Sequence, residues 1–171
     1  LTGKKNLSEA SKLLARVEVD KLLELSGNLE FKGSVSIDDI SKTHQEISPN
    51  IVYFDDRYAD GFAVFGDGRW TIKVRTNLNV FEERFTRAHE FAHILVRNCA
   101  QQNGFSVFKR NIDEEYFCDS FALNFLLPDR FTIPVLERSM NIKTINEIVD
   151  EYHVTLPKLI AWLKERNEVL D

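Results

Sequence analysis

The chain is short of every device that would let it hold together without a packed core. Two cysteines in 171 residues, Cys99 and Cys118, make no disulfide framework, and a reducing compartment, the cytoplasm, is the simpler expectation. Seven glycines and four prolines are too few for a collagen-like or low-complexity chain. No apolar run approaches the roughly 18 to 20 residues that span a bilayer. The longest are short stretches such as Phe62 to Phe65, which excludes a membrane-spanning helix. Leu1-Thr-Gly-Lys-Lys is not followed by an apolar segment with a small-residue cleavage site, so no secretory signal is expected there. Positive charge is scarce as well. With 22 Lys and Arg against 27 Asp and Glu, the net charge of −5 gives no support for nucleic acid as a direct partner, because phosphate contacts need clustered Lys and Arg. What is abundant is core material. Hydrophobic residues make up 43% of the chain and thirteen are Phe, enough for a globular, unusually aromatic interior.

Periodicity divides the chain. Leu7, Ala10, Leu14, Val17, Leu22 and Leu25 recur at helical spacing, with Ser8 as an N-cap and Gly27 as a stop, so residues 7 to 26 are predicted to form an amphipathic helix. Ser36-Ile-Asp-Asp opens a short second helix to about Thr43, and Ile51 to Phe54 is a strand. Phe62 to Phe65 and Trp70 to Val74 flank Gly66-Asp-Gly68, and Trp70, Ile72 and Val74 alternate with Thr71, Lys73 and Arg75, which predicts a hairpin with one buried face. From Asn79 the period becomes helical, with Phe81, Phe85, Ala88, Ala92 and Leu95 in one stripe. A loop is expected over residues 98 to 111. A second strong helix follows from about Asp113 to Leu127, stopped by Pro128. Thr144 with Glu147 makes a capping box, and Thr155 caps a last helix carrying Leu159, Ile160, Trp162 and Leu163. The order of elements is α+β. Boundaries are expected between N-terminal helices at 1–45, a core at 46–135 and a C-terminal helical region at 136–171, packed together.

The chemistry concentrates in His89-Glu90-Phe91-Ala92-His93, inside the strongest helical pattern. At 3.6 residues per turn, with Phe81 as zero, His89 and His93 fall at about 80° and 120° and Glu90 near 180°. Two imidazoles one turn apart can hold a zinc ion, and a carboxylate beside them can take a proton from the water that the ion activates. A catalytic zinc takes three protein ligands, so a third must come from another element. The next helix offers Glu115 and, four residues on, Asp119, on one face at the margin of its apolar side. Glu115 suits a ligand, and Asp119 suits the carboxylate that receives a ligating imidazole's other N–H.

These residues resemble the ImmA/IrrE metallopeptidases of bacteria, phages and mobile elements. The similarity rests on Asp60-Gly61 with the hairpin after it, Glu83-Arg-Phe-Thr-Arg-Ala-His-Glu-Phe-Ala-His93, Glu115-Tyr-Phe-Cys-Asp-Ser-Phe-Ala-Leu-Asn-Phe-Leu-Leu-Pro128, and the tail from Ile148 to Leu163. It implies a zincin-like core with a small three-stranded antiparallel sheet, an active-site helix and a helical C-terminal region. It also implies His89, His93 and Glu115 as metal ligands, Glu90 as catalytic base and Asp119 behind a histidine. The family usually carries Leu-Gly where Phe91-Ala92 stand, and more often Asn at Asp119. The metal would be zinc, with manganese or iron acceptable to the same donors. The substrate implied is a protein, a DNA-binding repressor with a helix-turn-helix, cleaved at a specific bond.

Spacing leaves the donor for a developing oxyanion open among Tyr53, Tyr58, Tyr116, His153 and an arginine. The Trp70 to Val74 hairpin is the element expected to pair with an extended substrate. Two other readings compete. The last two helices are spaced like a helix-turn-helix, but residues 141 to 171 hold four basic and six acidic residues, poor for a groove reader. A metal-holding but catalytically idle module, such as half of a toxin and antitoxin pair, would not need Glu90. Cys118 close to the site also allows a redox-sensing thiol.

Overall fold

The computed structural model describes residues 2–27, 36–43, 48–55, 57–103, 108 and 111–170. Its elements are α1 (Thr2–Leu25), α2 (Ile37–Thr43), β1 (Asn50–Phe54), β2 (Gly61–Gly66), β3 (Arg69–Arg75), α3 (Val80–Asn103), α4 (Asn111–Leu126), α5 (Asp129–Arg138), α6 (Ile142–Glu151) and α7 (Leu156–Leu170). The α+β class holds. The sheet is mixed, however, with order β1-β3-β2. β2 runs antiparallel to β3, pairing Gly61 with Val74 and Gly66 with Arg69, whereas β1 runs parallel to β3, pairing Asn50 with Thr71. The expected all-antiparallel sheet is therefore corrected at one pair, and β3 is the middle strand.

The alternation in β3 places Trp70, Ile72 and Val74 in the core, at 5%, 0% and 0% exposure, against α3. α3 packs in turn on α4, which is the hub of the helical layer. Nearly every side of α4 is covered, because α1, α3 and α7 each take a face. The ring contacts Phe117–Phe121 and Phe121–Phe125 run along it, and Phe91 of α3 meets Phe121 at 6.3 Å between centroids.

Three local expectations change. α1 begins six residues before Ser8, so Ser8 is not its N-cap. Its buried face is Ser11, Ala15, Val19, Leu22 and Leu23, while Leu14, Val17 and Leu25 are exposed. The phenylalanine-rich α4 lies close, and small residues at 11 and 15 let the two backbones approach. The loop expected from 98 is helix as far as Asn103, and most of the remainder lies outside the described residues. Asn141, not Thr144, caps α6: its side chain accepts the Thr144 N–H at 3.0 Å, and Thr144 is buried inside the first turn. Gly27 does end α1, at φ +69°.

One glycine fixes how closely sheet and helix meet. A Cβ on Gly61 would lie 2.5 Å from Thr86 Cγ2 and 2.9 Å from the Lys73 carbonyl oxygen, with Glu90 Cγ at 3.4 Å. Gly61→Ala is therefore expected to push β2 off α3 and lower stability by about 1–3 kcal/mol in chemical denaturation, in the range of overpacked cores. A change below about 0.5 kcal/mol, the usual range for a surface position, would show that the contact yields freely.

Candidate metal centre

The pentad lies mid-way along α3, where the helix passes beneath β2 and against α4. His93 is 7% and Glu90 8% exposed, so the helix presents both into the protein rather than to water. From the first turns of α4 come Glu114, Glu115 and Asp119. Four contacts join the two helices. His89 Nδ1 lies 3.0 Å from Asp119 Oδ1, and His93 Nδ1 lies 2.7 Å from Glu114 Oε1. Glu115 straddles the other side of both rings, with Oε2 3.4 Å from His89 Nε2 and Oε1 3.4 Å from His93 Nε2. The two Nε2 atoms are 3.2 Å apart.

This pattern assigns the protons. A carboxylate at each Nδ1 favours the tautomer with hydrogen on Nδ1, leaving a lone pair on each Nε2. Two lone pairs and a carboxylate then converge on one point, which is unfavourable unless a proton or a metal cation lies between them. A tetrahedral ion with bonds of about 2.0–2.1 Å sets its ligand atoms roughly 3.3–3.4 Å apart. The Nε2–Nε2 separation of 3.2 Å is close to that spacing, and the Glu115 carboxylate sets one oxygen 3.4 Å from each nitrogen, Oε2 from His89 and Oε1 from His93. The residues fit a divalent metal of the zinc type.

Electrostatics separate the roles. Burial raises the Glu90 carboxyl above the usual carboxylate range, opposed by His89, His93 and the Ala63 backbone N–H. A carboxylate shifted in that direction is a better proton acceptor near neutral pH. For His89, burial is the largest influence and lowers its pKa, but Asp119, Glu90 and Glu115 together outweigh it and hold the imidazole above its ordinary value. Cys118 is fully buried, and burial followed by Glu114 and Glu115 pushes its thiol far up. It therefore lacks the thiolate character that redox sensing requires.

A cleft of about 360 Å³ opens at this point, lined by His89, Glu90 and Asp119 together with Asp60, Gly61, Glu82, Phe85, Thr86 and Lys158. None of the four residues named as oxyanion donors lines it. The Tyr53 hydroxyl donates to Glu83 at 2.7 Å, Tyr58 is 96% exposed, Tyr116 is exposed, and His153 sits in an exposed turn at φ +49°. Two residues near the site have no place in the sequence reading. Glu114 receives the second histidine, and Lys158 reaches the cleft from α7, 65 residues beyond His93. Acidic residues crowd the first turn of α4, so the sequence does not single out Glu114 as the partner of His93, and nothing in it marks Lys158.

A His-Glu-x-x-His helix under a small sheet, with a third carboxylate from the following helix, is the arrangement of a metallopeptidase-type family. Residues 47–159 match the IrrE N-terminal-like domain, peptidase family M78, and the chain belongs to that family. No curated protein was found to match it in sequence. Among solved structures, a Mycobacterium tuberculosis transcriptional regulator is similar at 14% identity and a TM-score of 0.54, over 87% of this chain and 45% of that one. At that identity the likeness is one of fold, and the chain spans less than half the length of that protein. Among the described residues no helix is long and apolar enough to cross a membrane.

Proposed function

We propose that the chain is a metal-dependent endopeptidase that makes a limited, specific cut in a protein substrate. The observation that carries this reading is the convergence of His89 Nε2, His93 Nε2 and a Glu115 carboxylate at mutual distances of 3.2–3.4 Å, with Glu90 beside them. His89, His93 and Glu115 would hold the ion, zinc first and manganese or iron according to supply. Asp119 and Glu114 fix the tautomers of the two histidines. When bound, the ion supplies Lewis acidity, polarising the scissile carbonyl and making a water molecule easier to deprotonate. Glu90 takes that water's proton on its carboxylate and later hands it to the leaving amine. The buried setting of Glu90 is what distinguishes this arrangement from an idle metal-holding module.

β3 is flanked on both sides, so the Trp70 to Val74 segment has no free edge for a substrate, and that expectation is withdrawn. The outer edge of β2 would be the one to pair with an extended substrate segment, beyond Ala63, whose N–H already goes to Glu90 and whose carbonyl accepts from Arg97 at 3.0 Å. The substrate class inferred is a helix-turn-helix repressor. The family resemblance suggests it, and a net charge of −5 suits encounter with a basic DNA-binding protein.

Elemental analysis of wild type, Glu90→Gln and Glu115→Gln after matched purification tests the site. The expected result is one divalent ion per chain in wild type and Glu90→Gln, and a clear deficit in Glu115→Gln. Absence of metal from all three, even after zinc and manganese are added, would overturn the reading.

A further inference from the structure

We propose that Lys158 is the anion-binding group of the cleft, taking an anionic oxygen of the substrate beside Glu90. The assignment rests on the peptidase reading and goes beyond it by placing a substrate contact on the C-terminal helix. Its first support is what the cleft contains. Asp60, Glu82, Glu90 and Asp119 contribute four carboxylates to the lining, and Lys158 contributes the one ammonium group among the lining residues. Hydrolysis of a peptide passes through an oxyanion that needs a fixed donor, and none of the tyrosines or His153 is placed to serve.

The second support is how Lys158 is held. Its Nζ lies 3.1 Å from the centroid of the Phe85 ring, and that ring lies 6.2 Å from the His89 ring, one turn further along α3. Cation–π contact with Phe85 fixes the ammonium on the cleft wall without using a carboxylate. Asp119 and Asp60 attract it, but they are engaged elsewhere, by His89 at 3.0 Å and by Arg75 at 2.6 Å. The third support is cost. Lys158 is in the first turn of α7, where the helix dipole disfavours a cation, and it is half-buried, which pulls its pKa below the ordinary lysine range. A cation kept in a cleft against two opposing effects is a functional candidate on physical grounds.

The anionic oxygen has two sources: the oxyanion forming on the scissile carbonyl, or a carboxylate side chain next to it. Calorimetric titration of zinc-loaded wild type, Lys158→Gln and Lys158→Arg separates them, with zinc content measured on every sample. Three probes are used. An N-acyl-leucine hydroxamate reports chelation of the ion, a phosphinic dipeptide with leucine-like side chains mimics the oxyanion, and an N-acyl-glutamate hydroxamate adds a carboxylate side chain. Lys158→Gln is expected to keep one zinc, bind the leucine hydroxamate as wild type does, and lose roughly tenfold or more in Kd for one of the other two, as for one charge-assisted hydrogen bond. Loss on the phosphinic probe identifies the oxyanion, loss on the glutamate probe identifies the side chain, and Lys158→Arg restores most of either. Binding of all three probes by Lys158→Gln within about twofold of wild type, a difference of only about 0.4 kcal/mol, would overturn the assignment alone. Failure of zinc-loaded wild type to bind the leucine hydroxamate would overturn the peptidase reading and the assignment with it.

Discussion

Glu90→Gln is expected to lower peptide hydrolysis by roughly 10²–10⁴-fold while leaving metal content and fold unchanged. Gln is isosteric with Glu and keeps an oxygen for the Ala63 N–H, but an amide cannot accept and return a proton at neutral pH. The fold has reason to tolerate the change. Burial disfavours the charged form of Glu90, so a neutral side chain removes that penalty, and the variant should unfold no earlier than wild type. Activity measured on a repressor substrate, alongside elemental analysis and a denaturation curve, checks all three statements together. Hydrolysis within tenfold of wild type at full metal content would mean that another group takes the proton, and Glu90 would revert to a buried structural carboxylate. Loss of activity together with loss of metal would instead place Glu90 in the support of the ion.

The parts of this site that could be read from the sequence are those whose spacing matches a helix period. His89, His93 and Glu90 stand one turn and one residue apart, and Glu115 and Asp119 one turn apart, so a geometric argument brings each set to one face without knowing how α3 and α4 cross. Glu114 was not legible for the same reason that Asp113 is not informative: acidic residues crowd the first turn of a helix to meet its dipole, and nothing local distinguishes the one that meets His93. In the sheet, the alternation of Trp70, Ile72 and Val74 showed which face of β3 is buried, because only one face meets α3. It could not show that β1 lies parallel on the far side of β3, since pairing partners depend on the route of the chain between strands. The buried face of α1 differs from the expected one because apolar residues lie on two sides of that helix. Leu13, Leu14 and Val17 remain exposed, while Ser11 and Ala15, which a hydrophobicity count ranks lower, are chosen by close approach to α4.

Arg166→Met is expected to destabilise the chain by about 3–5 kcal/mol, the range for removing one partner of a buried ion pair. Arg166 is 7% exposed and ties together helices that are distant in sequence. Its guanidinium donates to Asn124 on α4, to Asp129 at the start of α5 and, at 3.1 Å, to the Trp162 carbonyl, and it stacks over the Trp162 ring at 3.8 Å. Asp129 also accepts from Arg16 of α1 at 2.7 Å, and Ser120 of α4 donates to Glu165 at 2.9 Å. Removing the guanidinium strands the Asn124 oxygen in the core and leaves Asp129 with Arg16 as its remaining cation in this network, and the penalty for a partly buried, half-paired carboxylate dominates. A second variant separates pairing from packing: Asp129→Asn combined with Arg166→Met removes both charges and should recover part of the loss. Guanidinium denaturation is the measurement, and a loss under about 1 kcal/mol for Arg166→Met would mean that the network is solvated in practice. The consequence for function follows from position. Lys158 lies about two turns before Arg166 on α7, whereas every proposed metal ligand sits on the α3–α4 seam. Loosening α7 should therefore weaken binding of whichever anionic probe depends on Lys158 at denaturant concentrations where zinc is still held, and the order of those two losses distinguishes an α7 that positions substrate from one that only covers the core.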